Sequence, residues 1–142
     1  MKDVCAKIKE TIRRHKIEAS FVDLNVAEIL IEKIALVFDL DRNRSLIWET
    51  VKGQMELKEY GENSEVWEKQ LMECLLSFRG EVFLVITNEE FYPWPILRCR
   101  KEDLAVIIAD QFFFEYFIFD AEMHKIVFDT HHNTLLCYSA LS

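Results

Sequence analysis

The sequence predicts a single α+β domain, residues 1–142, with N-terminal helices packed on a C-terminal antiparallel sheet of about five strands. Three observations carry this expectation. The length suits one core, and 51% hydrophobic residues, with 11 Phe, 4 Tyr and 3 Trp against 3 Gly and 2 Pro, mark a compact chain rather than a disordered one. Apolar spacing is helical before Gly80 and extended after it. The last apolar runs are separated by connections short enough for hairpins.

Residues 2 to about 17 place Val4, Ile8 and Ile12 on one stripe, with Lys7, Arg13, Arg14 and Lys16 elsewhere, which predicts an amphipathic helix. Asn25 and Glu28 have the spacing of a capping box ahead of AEILIEKIALVF, where Val26, Leu30, Ile34 and Val37 form the face expected to be buried. DLDRNR (39–44) reads as a polar turn. SLIWET (45–50) fits either a short strand or a helix start, and we prefer the strand. KGQMELKEYGEN (52–63) holds two of the three glycines and reads as a loop, with Asn63 or Ser64 capping the next helix. That helix is the clearest in the chain: Val66, Trp67, Gln70, Leu71, Cys74, Leu75 and Phe78 keep its period, and Gly80 stands where a left-handed stop is wanted.

EVFLVIT (81–87) is a short apolar run suited to a strand buried on both faces. NEEFYPWP bends the chain before ILRCR (96–100) resumes an extended pattern, and KEDLAVIIADQ predicts a short helix with Glu102 and Asp103 near its positive end. FFFEYFIF (112–119), KIVFD (125–129) and TLLCYS (134–139) then predict an antiparallel meander.

The formal net charge is -8. Residues 1–20 carry six basic and three acidic groups, whereas residues 102–142 carry one basic and seven acidic ones. This polarity disfavours free nucleic acid as a partner and predicts a basic protein partner on the C-terminal third. The candidate contacts are Glu102, Asp103, Asp110, Asp120, Glu122 and Asp129, with Trp94 as an aromatic anchor on its Pro-stiffened bend or, equally, as a lid over the core. No apolar run suits an export signal or a membrane span, so a soluble cytoplasmic protein without membrane contact is expected. Cys5, Cys74, Cys99 and Cys137 lack metal-ligand spacing and are expected as reduced thiols.

Three clusters admit chemistry. Asp129 with His131 and His132 fits a carboxylate-oriented base or a metal site, but adjacent histidines on an extended chain point to opposite faces, and a hairpin turn is the plainer reading. Glu115 among aromatic rings fits an acid or base, and more simply a solvent-facing carboxylate. Cys99 between Arg98 and Arg100 fits an activated thiolate, yet alternation turns it to the core if both arginines face water. The isolated glycines build no phosphate loop, and no metal or cofactor is expected.

PWPI (93–96), the short helix, FEYFIFD (114–120) and FDTHHNTLL (128–136) together resemble the ending of small bacterial immunity proteins of polymorphic and contact-dependent toxin systems, the SUKH-like group. The resemblance spans roughly residues 80–140, with Thr130 in place of the family's Asn. It implies a non-enzymatic inhibitor that covers its cognate toxin. The alternatives are a structural or adaptor protein assembling through the aromatic sheet, perhaps as a homodimer, and a small hydrolase using Asp129 with His131 or His132.

Overall fold

The computed structural model describes residues 3–41, 51–87, 93–111, 114–130 and 133–140. SLIWET, most of the bend after Thr87, and His131 and His132 lie outside the described residues. The elements are α1 (Val4–His15), β1 (Ser20–Phe21), α2 (Leu24–Phe38), β2 (Gln54–Glu59), α3 (Ser64–Leu75), β3 (Glu81–Ile86), β4 (Ile96–Arg100), α4 (Lys101–Ala109), β5 (Tyr116–Asp120), β6 (Lys125–Asp129) and β7 (Thr134–Ser139). One antiparallel sheet has the order β1-β4-β3-β5-β6-β7-β2. The α+β class is as expected, but the sheet has seven strands rather than five.

The two extra strands are its edges. β1 is two residues long and pairs with β4. β2 arises within the stretch expected to be a loop, and all six of its residues pair with β7, from Gln54 opposite Ser139 to Glu59 opposite Thr134. Its polar composition hid it, because an edge strand with little cover needs few apolar side chains.

The sheet separates two cores. On one face α1, α3 and α4 bring Ile8, Leu71, Leu75, Leu104 and Ile107 against Val82, Leu84, Ile118, Val127 and Leu135. On the other, α2 alone packs Ala27, Ile31, Ile34 and Phe38 against Val85, Ile96, Phe117, Phe119, Ile126 and Phe128. A fully buried Phe or Ile contributes roughly 1.5–3 kcal/mol. The hydrophobic effect on both faces therefore drives the sheet to be sandwiched, and β3 and β5 at its centre are apolar almost throughout.

Helix ends follow side-chain chemistry. Asp3 and Asn63 accept backbone N–H groups at the starts of α1 and α3. At α2 the cap is Asp23, which accepts from Asn25 N, and not Asn25 itself. The buried face of α2 is also rotated from the expected one, since Val26 and Val37 are 45% and 44% exposed. Apolar residues ring most of that helix, so periodicity alone did not identify the inner stripe. α3 stops at Leu75, short of the expected Phe78, and Gly80 (φ 73) serves the turn into β3. β5 begins at Tyr116 rather than at residue 112.

Cysteine use differs from expectation as well. Cys74 on α3 and Cys137 on β7 form a disulfide, with Cα atoms 6.4 Å apart, while Cys5 and Cys99 are free thiols. Packing α3 on the face of β7 brings together two thiols 63 positions apart, which spacing along the chain does not reveal. Among the described residues no helix is long and apolar enough to cross a membrane.

Closing a 63-residue separation removes chain entropy from the unfolded state. We therefore expect Cys74→Ala/Cys137→Ala to lose about 4 kcal/mol of stability relative to the oxidised protein. In urea titrations, a reducing agent should lower the wild-type midpoint and leave that of the double variant unchanged.

Candidate functional site

Four elements converge on one carboxylate. Asp129 ends β6, where alternation turns its side chain toward the α3 face, and it is 5% exposed. Its Oδ1 accepts the Tyr60 hydroxyl at 2.8 Å; its Oδ2 accepts the Tyr116 hydroxyl at 2.8 Å and the Trp67 indole N–H at 3.2 Å. Tyr60 follows β2, Trp67 lies in the first turns of α3, and Tyr116 opens β5. These three neutral donors offset much of the desolvation of the buried carboxylate.

Burial pushes both phenols up from their ordinary value, and the adjacent Asp129 charge raises them further. Both hydroxyls are therefore protonated donors at neutral pH. Beside them opens a recess of about 340 Å³, walled by Tyr60, Trp67, Phe114 and Tyr116, with Glu62 and Asn63 at its lip. The Phe114 and Tyr116 rings are 5.1 Å apart. Gln111 closes another side, donating to Thr11 Oγ1 at 2.9 Å and Ile107 O at 3.1 Å. Chemically the recess offers aromatic faces and polar atoms for binding, while its central carboxylate is engaged by three donors.

The sequence-predicted contacts do not assemble into one acidic face. Trp94 is 9% exposed and packs edge-on against Phe117 at 6.4 Å, so it is a lid over the core. Asp120 is buried and accepts the amides of His124 and Lys125, which shapes the β5–β6 turn. Asp129 is buried in the network just described, where side chains from other elements donate to it. Asp110 pairs with Arg14 of α1, and the Thr11 hydroxyl, aided by that guanidinium, holds its carboxyl below the usual range. Asp103 lies 3.5 Å from Arg100. Glu102 and Glu122 are exposed but lie apart, on α4 and in the β5–β6 turn.

The remaining chemical candidates resolve simply. Glu115 faces solvent. Cys99 is fully buried with Arg98 and Arg100 turned outward, and burial, reinforced by Asp103 and Glu81, pushes its thiol up to about 12. Such a thiol is protonated and inert at neutral pH. Among the described residues no three His, Cys, Asp or Glu side chains group as metal ligands.

An acidic run escaped the sequence reading. Glu56, Glu59, Glu62, Glu65, Glu68 and Glu73 are all exposed along β2, the following turn and α3, with Lys58 and Lys69 as the basic residues of that stretch. Gln70 Nε2 donates to Glu59 O at 3.1 Å and ties the helix to the end of the strand. The signal was present as an acid at every third position from Glu56 to Glu68. Counting charge over whole thirds of the chain concealed it. Comparison with protein-family models, curated proteins and solved structures gives no match to this chain.

Removing the carboxylate takes the acceptor from the buried Tyr116 hydroxyl and from the half-buried Tyr60 hydroxyl and Trp67 indole, so Asp129→Ala should cost about 3 kcal/mol, read as the shift in urea unfolding. The tyrosines add a pH dependence. Unfolded tyrosine ionises near pH 10, whereas Tyr60 and Tyr116 in the fold ionise above that. Their contribution to stability is complete below about pH 10 and is lost as pH rises toward their folded values. Unfolding midpoints measured up to about pH 11 should fall on the alkaline side, and Tyr116→Phe should flatten that fall.

Proposed function

We propose that this protein neutralises a basic toxin by tight, non-catalytic binding, as an immunity protein does, and that it docks through the β2–α3 segment. The observation that carries this reading is the exposed glutamate run from Glu56 to Glu73 bordering the aromatic recess of Tyr60 and Trp67. Acidic side chains steer a basic partner into contact, and a recess with rigid aromatic walls anchors one of its side chains. The resemblance of residues 93–136 to immunity proteins of toxin systems supports the same reading. Our reading assigns the interface to β2 and α3 rather than to the C-terminal third, because four of the six carboxylates there are buried or paired.

Binding is favoured over hydrolysis because Asp129 accepts from Tyr60, Trp67 and Tyr116, which fix it as a structural acceptor.

Co-expression with the toxin domain encoded beside it provides the test. Growth should be rescued, and the association rate should fall steeply with added salt. Glu65→Lys/Glu68→Lys should slow association about tenfold while leaving the unfolding midpoint near that of the wild type. Failure to bind or neutralise the neighbouring toxin, or binding indifferent to salt and to these charges, would overturn the proposal.

A further inference from the structure

The sheet ends on β2, and among the described residues nothing pairs with the outer side of that strand. Its backbone polarity can be read from its neighbours. Tyr60 N–H donates to Asn133 O at 2.8 Å, and on the far side of β7 Ala140 N–H donates to His124 O at 2.8 Å. In an antiparallel ladder bonded and non-bonded positions alternate, so Gln54, Glu56 and Lys58 bond to β7. The amides and carbonyls of Met55, Leu57 and Glu59 therefore point outward, as an open edge.

Side chains alternate along the same strand. Glu56 and Lys58 lie on the α3 face, opposite Cys137 and Leu135, and within the chain Lys58 Nζ lies 2.6 Å from Glu56 Oε1 and 3.5 Å from Glu73 Oε2, so pairing with a second copy would add to or exchange these contacts. Met55 and Leu57 lie on the α2 face beside Tyr138 and Leu136, and they remain 50% and 48% exposed.

We propose that β2 pairs antiparallel with β2 of a second copy of this chain, about a twofold axis through Leu57. The outward groups at odd positions require odd residues to bond to odd residues, and charge then selects the register. An axis at Glu56 or at Lys58 sets each charge against its own copy, and an axis at Glu59 sets that glutamate against itself. An axis at Met55 leaves most of the strand unpaired. With the axis at Leu57, the two Leu57 residues meet, Met55 faces Glu59, and Glu56 faces Lys58 twice. Those two ionic pairs fall at non-hydrogen-bonded positions, where opposing side chains approach most closely and unlike charges stabilise.

The same pairing covers Met55 and Leu57, which α2 leaves bare. The occupant is a second copy because Glu-Leu-Lys is complementary to itself when reversed. The net charge of -8 on each chain opposes approach, and physiological salt screens that repulsion over about 8 Å. The pairing is argued from the β2 edge alone, so it stands whether or not the chain neutralises a toxin; it takes Glu56 and leaves a toxin the α3 side of the segment.

Sedimentation velocity at physiological salt, over a range of protein concentrations, tests the proposal. The wild type should pass from monomer to dimer with concentration. Glu56→Lys alone and Lys58→Glu alone should each weaken dimerisation about tenfold, because each opposes like charges twice. An equal mixture of the two variants should restore a dimer, since each strand then faces its opposite. Should either variant lose the native circular-dichroism spectrum, the doubly reversed Glu56→Lys/Lys58→Glu chain replaces it and must dimerise as the wild type does. A wild type that stays monomeric, variants that dimerise undiminished, or a mixture or doubly reversed chain that stays monomeric would overturn the pairing.

Discussion

The hydrogen bonds to the buried Asp129 carboxylate hold the rest of the arrangement in register. Isolated, a carboxylate in that position would cost several kcal/mol. With Tyr60, Trp67 and Tyr116 donating to it, the cost becomes a constraint: β2, α3 and β5 must each arrive with the right residue at the right depth on β6. The disulfide between Cys74 and Cys137 repeats the constraint further along α3.

The second organising fact is the unequal cover of the sheet. Three helices occupy one face, and a single helix occupies the other. α2 lies over the central strands, where Phe117, Phe119 and Phe128 provide the largest apolar surface; Leu136 and Tyr138 of β7 pack at the margin of that core, and Met55 and Leu57 of β2 lie beyond it. A short polar strand is the economical end for such a sheet, and its exposed Met55 and Leu57 follow from that asymmetry rather than from any defect of packing.

Charge illustrates how far composition reaches. A net charge of -8 says that acids outnumber bases, but it does not say which acids meet solvent. Folding consumed the C-terminal carboxylates in different ways: Asp120 caps a turn, Asp129 receives three donors, and Asp110 pairs with the basic first helix. The apparent dipole between the chain ends is thus partly cancelled by α1 lying against α4. Glu102, Glu115 and Glu122 stay exposed but scattered, whereas the glutamates of β2 and α3 form a continuous exposed run.

The sequence by itself determined the α+β class, the four helices and the C-terminal meander, because each rests on a local period of apolar residues and on short connections. It also determined that Cys99 turns inward, since alternation along ILRCR admits little else. Only the tertiary structure decided that Gln54–Glu59 is a strand, that Cys74 meets Cys137, that α2 buries Ala27 and Phe38 in place of Val26 and Val37, and that Tyr60 and Trp67 serve Asp129. These outcomes depend on partners more than sixty positions away or, for α2, on which of two apolar faces the sheet accepts. A pattern of neighbours along the chain carries no information about such distant encounters, and the fold makes them by bringing the edge strand and α3 onto the last hairpin.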